Sequence, residues 1–327
     1  MRAVAAPGRW AWGLSGLLTA AVLAVPGVHL INAPDHGLLT ARPGPPPDSV
    51  VRMVTVPQQV TSLTMQTYGG PARVLTGHVR HVQVAETIGY DARNGGPPAV
   101  TQSVSGGRLT LTDPVCNTAD CTVGYTVTVP AAIPVTMSTD GGTAVISGAA
   151  GAQVDSGGGP LIATQITGPL TATADGGSLV VSGASGAHVD SGGGPLTAAQ
   201  IHGPLIASSD GGSLAINGLT GPLRADTGGG PLLAQNVSAA TVTADTGGGS
   251  ARIILATAAS SVLVSTDGGP ADLAVPGGPY ALNADSGGGP FQVGLATDPA
   301  ARQSITVSSA GGALLVEPAA RGGSRRG

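Results

Sequence analysis

Apolar and polar residues alternate in short stretches throughout residues 131–318 of the chain. Leu170, Ala172 and Ala174, for example, repeat with a period of two. Strict alternation over a few residues is typical of a half-buried β-strand. The stretches end at Gly, Pro, Asn or Ser, which are the residues that favour turns. The pattern therefore predicts many short strands that are separated by tight turns.

A glycine-rich turn motif recurs between these stretches, beginning with Asp in nine copies and with Ala310 in a tenth. Asp140, Asp175, Asp210 and Asp245 lie 35 residues apart, and the motif recurs about twice in each interval. Such fixed-period self-similarity is the mark of a repeat architecture. A unit of half that length is too short for two helices, but it fits one coil of a β-solenoid. The nine predicted turn residues are Asp140, Asp155, Asp175, Asp190, Asp210, Asp226, Asp245, Asp267 and Asp285.

The same 35-residue shift places like residues in register, with Leu161 matching Leu196 and Leu170 matching Leu205. Stacked coils produce such columns, because each coil buries its apolar face only against its neighbours. We therefore predict an all-β fold: a single-stranded β-solenoid, similar to a β-helix, with about ten short coils. A spacing of ~4.8 Å between strands gives such a rod a length of about 45 to 50 Å.

The composition agrees with a narrow solenoid core. The 327 residues include 54 Gly, 26 Pro and one Phe, and 10% of the residues are charged. Collagen is excluded because Gly does not occupy every third position. Disordered chains are polar and rich in charge, whereas the mean hydropathy here is positive. Small aliphatic side chains fill a narrow core without aromatic residues.

The charge distribution limits the possible partners. All fourteen basic residues are Arg. Within residues 131–318, three Arg oppose eleven Asp and Glu317, a balance of −9. A rod with so few basic groups cannot neutralise phosphates, so we expect no nucleic-acid partner. A cation or a basic surface is the more natural counterpart.

Residues 10–31 form an uncharged, mostly apolar run that follows Arg2 and Arg9. About 20 apolar residues span a bilayer as a helix, and flanking Arg residues favour the cytoplasmic side. A cleaved signal peptide is the alternative, with residues 22–24 as a small-residue cleavage site. The first possibility predicts a single-pass membrane protein with its C-terminal domain outside, and the second predicts a secreted protein.

Cys116 and Cys121 are the only cysteines. An even count in an exported chain favours a disulfide bond, with two free thiols as the alternative. A zinc site is disfavoured because zinc needs four ligands. Strand-like stretches between residues 50 and 130 lack the repeat and predict a cap on the rod. The predicted parts are 1–33 (anchor or signal peptide), 34–49 (Pro-rich linker), 50–130 (β-rich cap), 131–318 (solenoid) and 319–327 (disordered tail).

The Asp residues of the motif have a local role. Asp accepts a hydrogen bond from a backbone N–H two residues later, and Gly supplies the positions with positive φ, for which we take Gly193 as an example. Calcium binds oxygen ligands, but one Asp per corner supplies too few for a tight site. We therefore expect no obligate cofactor and at most weak calcium binding.

Candidate catalytic groups do not assemble into a site. His188, Asp190 and Ser191 have the residue types of a nucleophilic triad, but one short strand and turn cannot give them the required geometry. His78 and His81 lie three residues apart, so on a strand they point to opposite faces. We therefore expect no catalytic residues and no enzymatic activity.

The segment from Cys121 to Pro130, then residues 133–142 and the serial Gly-Gly turns, resembles the bacterial putative adhesin family of unknown function. The resemblance covers roughly residues 50 to 316. It implies β-strand repeats, an N-terminal membrane anchor and a location at the cell surface, without catalytic residues. The family commonly has Ser-Gly-Asp at its turns, whereas this chain has Gly-Gly or Gly-Gly-Gly.

The hypothesis from the sequence is a non-enzymatic cell-envelope protein that presents a β-solenoid surface for adhesion or protein interaction. Its partner would be an unidentified protein or cell-surface ligand, and its N-terminal segment would contact the membrane. The alternative is the ectodomain of an envelope-stress sensing or regulatory system.

Overall fold

The computed structural model describes residues 48–113 and 121–319. These residues form strands, turns and one short 3₁₀ helix, Ala92–Asn94. None of them belongs to a helix that is long and apolar enough to cross a bilayer. The predicted N-terminal helix, most of the Pro-rich linker, Cys116 and nearly all of the C-terminal tail lie outside the described residues.

The strands are short and all lie in two sheets. In chain order they are β1 (Asp48–Val56), β2 (Ser62–Tyr68), β3 (Ala72–Thr76), β4 (Val82–Tyr90), β5 (Thr101–Ser105), β6 (Arg108–Thr112), β7 (Thr122–Val129), β8 (Pro134–Asp140), β9 (Ala144–Ser147), β10 (Gly151–Asp155), β11 (Leu161–Ile166), β12 (Leu170–Thr173), β13 (Leu179–Ala184), β14 (Ala187–Asp190), β15 (Leu196–Ile201), β16 (Leu205–Ser208), β17 (Leu214–Thr220), β18 (Leu223–Asp226), β19 (Leu232–Ser238), β20 (Thr241–Asp245), β21 (Ala251–Leu255), β22 (Ser261–Ser265), β23 (Ala271–Val275), β24 (Ala281–Asp285), β25 (Phe291–Val293), β26 (Ser304–Ser308) and β27 (Leu314–Pro318).

Each coil contributes one strand to each sheet. Sheet A has the order β1-β4-β7-β3-β9-β11-β13-β15-β17-β19-β21-β23-β27-β25. Sheet B has the order β24-β26-β22-β20-β18-β16-β14-β12-β10-β8-β2-β6-β5. From β8 onward, the chain alternates between the sheets and pairs in parallel with the coils above and below. Ten such pairs, from β8 and β9 to β26 and β27, confirm the predicted solenoid of about ten coils.

The core lies between the two sheets and is filled by inward columns of aliphatic side chains. Leu161, Leu179, Leu196 and Leu214 occupy successive coils in one register and are at most 1% exposed. Full burial of one such side chain stabilises the fold by about 1.5–3 kcal/mol. The alternation in the sequence therefore predicts the inward faces correctly.

Both ends of the stack depart from chain order. At the N-terminal end, β2 and β3 lie between the coil β8–β9 and the later strands β6 and β7. At the C-terminal end, β26 and β27 lie inside β24 and β25, although they follow them in the chain. Beyond β7, the antiparallel strands β4 and β1 extend sheet A, while β5 extends sheet B.

Candidate interaction surface

One edge of the rod is built from a six-residue turn that we call the glycine corner, and we number its positions 1 to 6. From β8 onward, it links each sheet B strand to the next sheet A strand, and the turn of residues 66–71 between β2 and β3 lies in register with its first copy. The copies are residues 138–143, 155–160, 173–178, 190–195, 208–213, 226–231, 245–250, 265–270, 285–290 and 308–313.

Position 2 of the glycine corner carries Ser or Thr in every copy except the one with Ala174, and the side chain is buried in all of these but the half-buried Ser286. Ser156 is fully buried, and its hydroxyl donates to the carbonyl of Gly159 at 2.8 Å. The same bond from position 2 to position 5 is 2.6 Å at Ser191 and 2.5 Å at Thr227. It recurs at Thr139, Thr246, Ser286 and Ser309. The sequence interpretation missed this column, although Ser156 continues the inward alternation of β10.

Position 5 is Gly in all ten copies, and its backbone packs directly on the coil below. A Cβ on Gly159 would lie 2.1 Å from the carbonyl oxygen of Gly142, and one on Gly194 would lie 2.1 Å from that of Gly177. No side chain fits at such distances. Position 4 is different: a Cβ on Gly193 would have nothing within 4 Å, and its φ is not positive. The choice of Gly193 as a left-handed residue is therefore wrong.

The nine Asp residues of the corner fall into two classes. Five of them occupy position 1, at the end of a sheet B strand. There the carboxylate accepts a hydrogen bond from the backbone N–H of position 3, as Asp190 does from Gly192 at 2.9 Å. Position 3 is then Gly with a left-handed backbone, with φ 63° at Gly192. The members of this class are Asp155, Asp190, Asp226, Asp245 and Asp285.

The other four Asp residues occupy position 3. Asp175 forms a β-bridge with Gly192, and the backbone N–H of Asp210 donates to the carbonyl of Gly192 at 3.1 Å. In this class position 1 is Ser or Thr, and the left-handed Gly moves to position 4, as at Gly176 with φ 96°. The members are Asp140, Asp175, Asp210 and Asp267.

The nine Asp residues thus do not share one position, contrary to what their spacing indicates. Asp245 lies 35 residues after Asp210, but its partner in the neighbouring coil is Asp226. No copy carries Asp at both positions 1 and 3. The 35-residue period is the alternation of two kinds of turn over two coils.

This alternation separates the charges. Between β8 and β18, position 1 alternates between a hydroxyl and a carboxylate, so its acids lie two coils apart. In water, two like charges repel by about 0.9 kcal/mol at ~4.8 Å and by about 0.4 kcal/mol at ~9.6 Å. Asp226 and Asp245 are the exception, because they are direct neighbours.

The glycine corner is an acidic edge that faces solvent. Eight of its Asp residues are exposed and Asp190 is half-buried. Within residues 48–113 and 121–319, the ion pairs involve other acids, namely Asp91 with Arg93 and Asp272 with Arg252. No three His, Cys, Asp or Glu side chains in these residues come together to form a metal site.

The outer faces of the sheets carry single aliphatic side chains among polar ones. On sheet A, Ile162 and Val180 are neighbours in one outward column, each 37% exposed, and Leu233 lies further along the same column. On sheet B, the corresponding column includes His188 and Ile206. Both columns gain one outward side chain with each coil.

The side chains of His188 and Ser191 have different surroundings. His188 lies on the outer face of β14, whereas Ser191 is fully buried and donates to the carbonyl of Gly194. His78 and His81 are both exposed in the segment between β3 and β4. None of these histidines contributes to a group of three metal-binding side chains in the described part of the chain.

Two carboxyl groups are buried near the N-terminal end of the rod. Asp113 follows β6 and accepts the backbone N–H of Tyr68, and burial raises the pKa of its carboxyl to about 6. Burial also raises the pKa of Glu86 on β4, although the positive charge of nearby Arg52 acts to lower it. The Tyr125 hydroxyl is buried without a hydrogen-bond partner in the described residues. Its burial raises its pKa, and the negative charges of Asp113 and Glu86 raise it further.

The predicted disulfide bond spans a gap in the described residues. Cys121 immediately precedes β7, while Cys116 lies outside the described ranges. The bond stays a prediction, which mass spectrometry of the exported protein without reductant would test.

Comparisons with known proteins find likeness only among solved structures. No protein-family model matches the chain, and no curated protein matches it. A structure described as a putative adhesin from Bacteroides fragilis aligns with 84% of this chain and 98% of its own, at 12% identity and a TM-score of 0.37. One described as a putative cell adhesion protein from Clostridium sporogenes aligns with 83% of this chain and 100% of its own, at 11% identity and a TM-score of 0.22.

Proposed function

We propose that this chain is a non-enzymatic protein of the cell envelope whose β-solenoid presents a surface for adhesion or protein interaction. The observation that carries the proposal is the solvent-facing array of the glycine corner. Nine carboxylates repeat along one edge of the rod, and none of them has an ion-pair partner within the described residues. A rigid row of like charges attracts a surface or chain of opposite charge.

The rigidity of this array comes from the interior of the corner. The buried hydroxyl at position 2 holds the carbonyl of position 5, and the Gly at position 5 lies against the coil below. The acids at positions 1 and 3 therefore project from a fixed backbone. A preorganised surface loses little conformational freedom on binding, which favours affinity.

The expected partner is basic, because the solenoid carries twelve acidic residues and only three Arg. The aliphatic side chains of Ile162, Val180 and Leu233 add apolar contacts on the outer face of sheet A. The resemblance to the adhesin family points to the same setting outside the cell, where residues 10–31 would anchor the chain or direct its secretion. No observation on the described residues favours the sensor alternative.

Adherence tests the proposal. Cells with and without the chain are compared for autoaggregation and for attachment to one another and to abiotic and protein-coated surfaces. We expect the chain to increase attachment in at least one of these assays. Equal attachment in all of them would overturn the proposed function.

The role of the glycine corner is tested with purified full-length chain and immobilised polylysine, with polyglutamate as the matched control. A variant with Asn at all five acidic copies of position 1 keeps the turn acceptor and removes the charge. We expect it to bind polylysine at least tenfold more weakly than the parent chain. Binding of the parent should also fall as salt rises. Equal binding by both chains would exclude the acidic edge as the contact surface.

A further inference from the structure

Strand β1 is an exposed edge at the N-terminal end of sheet A. It pairs with β4 over all nine of its residues, from Asp48 opposite Tyr90 to Val56 opposite Val82. Its other side has no strand partner among the described residues. A long free edge offers a row of unpaired backbone N–H and C=O groups to another strand.

The side chains of β1 do not protect this edge. Val51 and Met53 lie on one face and are 64% and 68% exposed, more than any other large hydrophobic residue in the described chain. Val50 and Val54 lie on the opposite, inward face and are only half-buried. Proteins rarely leave apolar side chains on both faces of a free edge unless another strand covers it.

The strand order of the two sheets explains why β1 is so exposed. Beyond β2 and β3, sheet A continues with the three strands β7, β4 and β1, whereas sheet B continues with only β6 and β5. Strand β1 therefore projects one strand beyond the end of sheet B. Its inward face has no opposing strand among the described residues, so Val50 and Val54 remain accessible.

We propose that β1 pairs antiparallel with β1 of a second copy of this chain. Asp48 and Arg52 lie four residues apart on the same face of the strand. If Val50 faces its own counterpart across a two-fold axis, Asp48 of each copy stands opposite Arg52 of the other. Cross-strand pairs of opposite charge stabilise antiparallel sheets. A symmetric dimer contains this pair twice.

Neighbouring registers lack this complementarity. Centring the pairing on Val51 sets Arg52 opposite Val50, and centring it on Arg52 sets the two guanidinium groups against each other. In the proposed register, Val51 of each copy also lies diagonal to Val51 of the other, within reach of an apolar contact. The charges on β1 thus select both a second copy and one alignment.

The surroundings of the two charged groups suit this arrangement. Arg52 stands opposite Glu86 on β4, so the dimer would place it between carboxylates of two strands. The Asp48 carboxylate accepts the backbone N–H of Ala92 at 3.2 Å, which holds it at the start of the edge. The dimer joins two A sheets into one continuous sheet, in which residues 48–52 of the two copies pair and the two Val51 side chains come together, while Met53 lies beyond the paired residues.

Cysteine cross-linking of the full-length chain tests the register. Val50→Cys places a thiol on the axis, where directly opposite Cα atoms have the separation that a disulfide needs. Thr55→Cys is the matched control, because it is exposed on the same strand but its two copies would lie roughly 30 Å apart. Under mild oxidation we expect a covalent dimer with Val50→Cys at least tenfold more abundant than with Thr55→Cys or the parent chain. Equal yields would overturn the proposal.

Charge reversal tests the pairing without added cysteines. Asp48→Arg and Arg52→Asp should each weaken dimerisation, measured by analytical ultracentrifugation, by about tenfold, as the loss of two opposite-charge cross-strand pairs allows. The double variant regains the opposite-charge pair in reversed order, so it should dimerise more tightly than either single variant, although Asp at position 52 then faces Glu86. Circular dichroism checks that each variant remains folded. A monomeric parent chain, or a double variant as weak as the single ones, would contradict a β1 dimer and leave the edge to a different occupant.

Discussion

The backbone of Gly230 lies directly against the carbonyl of Gly212 in the coil below, so that a Cβ added to Gly230 would come within 2.0 Å of that oxygen. The same carbonyl contact recurs at position 5 of every coil, as at Gly249 on Gly230 and Gly269 on Gly249. This column of glycines sets how closely the coils stack at the corner. Its neighbours at position 4 have no such restriction.

Replacing Gly230 with Ala should therefore destabilise the rod. Because the clash is with backbone rather than a flexible side chain, we expect the free energy of unfolding to fall by at least about 2 kcal/mol. Gly229→Ala is the matched control, since its Cβ would have nothing within 4 Å and its φ is not positive. It should change stability by less than about 0.5 kcal/mol. Urea unfolding measures both, and similar midpoints would contradict the close packing.

The hydroxyl column gives a second prediction. Thr227→Val keeps the shape of the side chain but removes the donor to the Gly230 carbonyl, so we expect a loss of about 1–2 kcal/mol. Thr227→Ser should retain most of the stability. Thr241→Val, at an exposed position of β20, is the control. Thermal melts compare the three variants, and the hydrogen bond is unimportant if Thr227→Val melts with the parent chain.

The two classes of Asp should respond differently to substitution. Asp190→Ala removes the carboxylate that accepts the Gly192 N–H, so it should cost about 1 kcal/mol, whereas Asp190→Asn should cost less. Asp210→Gly places at position 3 the residue that the other class already uses there. We expect it to leave stability within about 0.5 kcal/mol of the parent. Equal losses for Asp190→Ala and Asp210→Gly, in chemical denaturation, would mean that the classes are not distinct.

The buried Asp113 predicts a pH dependence with an unusual sign. The pKa of Asp113 in the folded chain, about 6, lies above that of an unfolded Asp. Its contribution to the free energy of unfolding is therefore most favourable at low pH and is lost as pH rises through about 6. Asp113→Asn keeps an acceptor for the Tyr68 N–H and does not ionise. Between pH 4 and 7, the parent should lose about 2 kcal/mol of stability relative to this variant. Parallel stability curves for the two chains would contradict the burial of a titrating carboxyl.

Alternation and glycine spacing predict the coils because both are local consequences of a strand between two turns. Leu161 and Leu170 point inward as their spacing requires. The spacing of the Asp residues misleads, because position 1 and position 3 differ by only two residues while coils vary in length. Asp245 therefore matches Asp210 in sequence and Asp226 in space. Ser156 falls on an inward position of the alternation, and this position could have revealed the buried hydroxyls.

The order of the end coils could not be predicted in the same way. Parallel strands of similar sequence can pair with any coil, so nothing local distinguishes β26 beside β22 from β24 in that place. The open edge at β1 has the same origin, because it depends on how many strands each sheet adds beyond β2 and β3. Both features follow from the path of the whole chain rather than from any one repeat.

The interchanged end coils have a mechanical consequence. A rod whose coils follow chain order can be peeled from its end one coil at a time under load. Here a pull on the C terminus acts first on β27, which is held between β23 on one side and β25 on the other. The coil of β26 and β27, the last in the described part of the chain, must therefore shear past two neighbours at once before it comes free. A chain under tension would resist unravelling because β26 and β27 lie inside β24 and β25 in the stack.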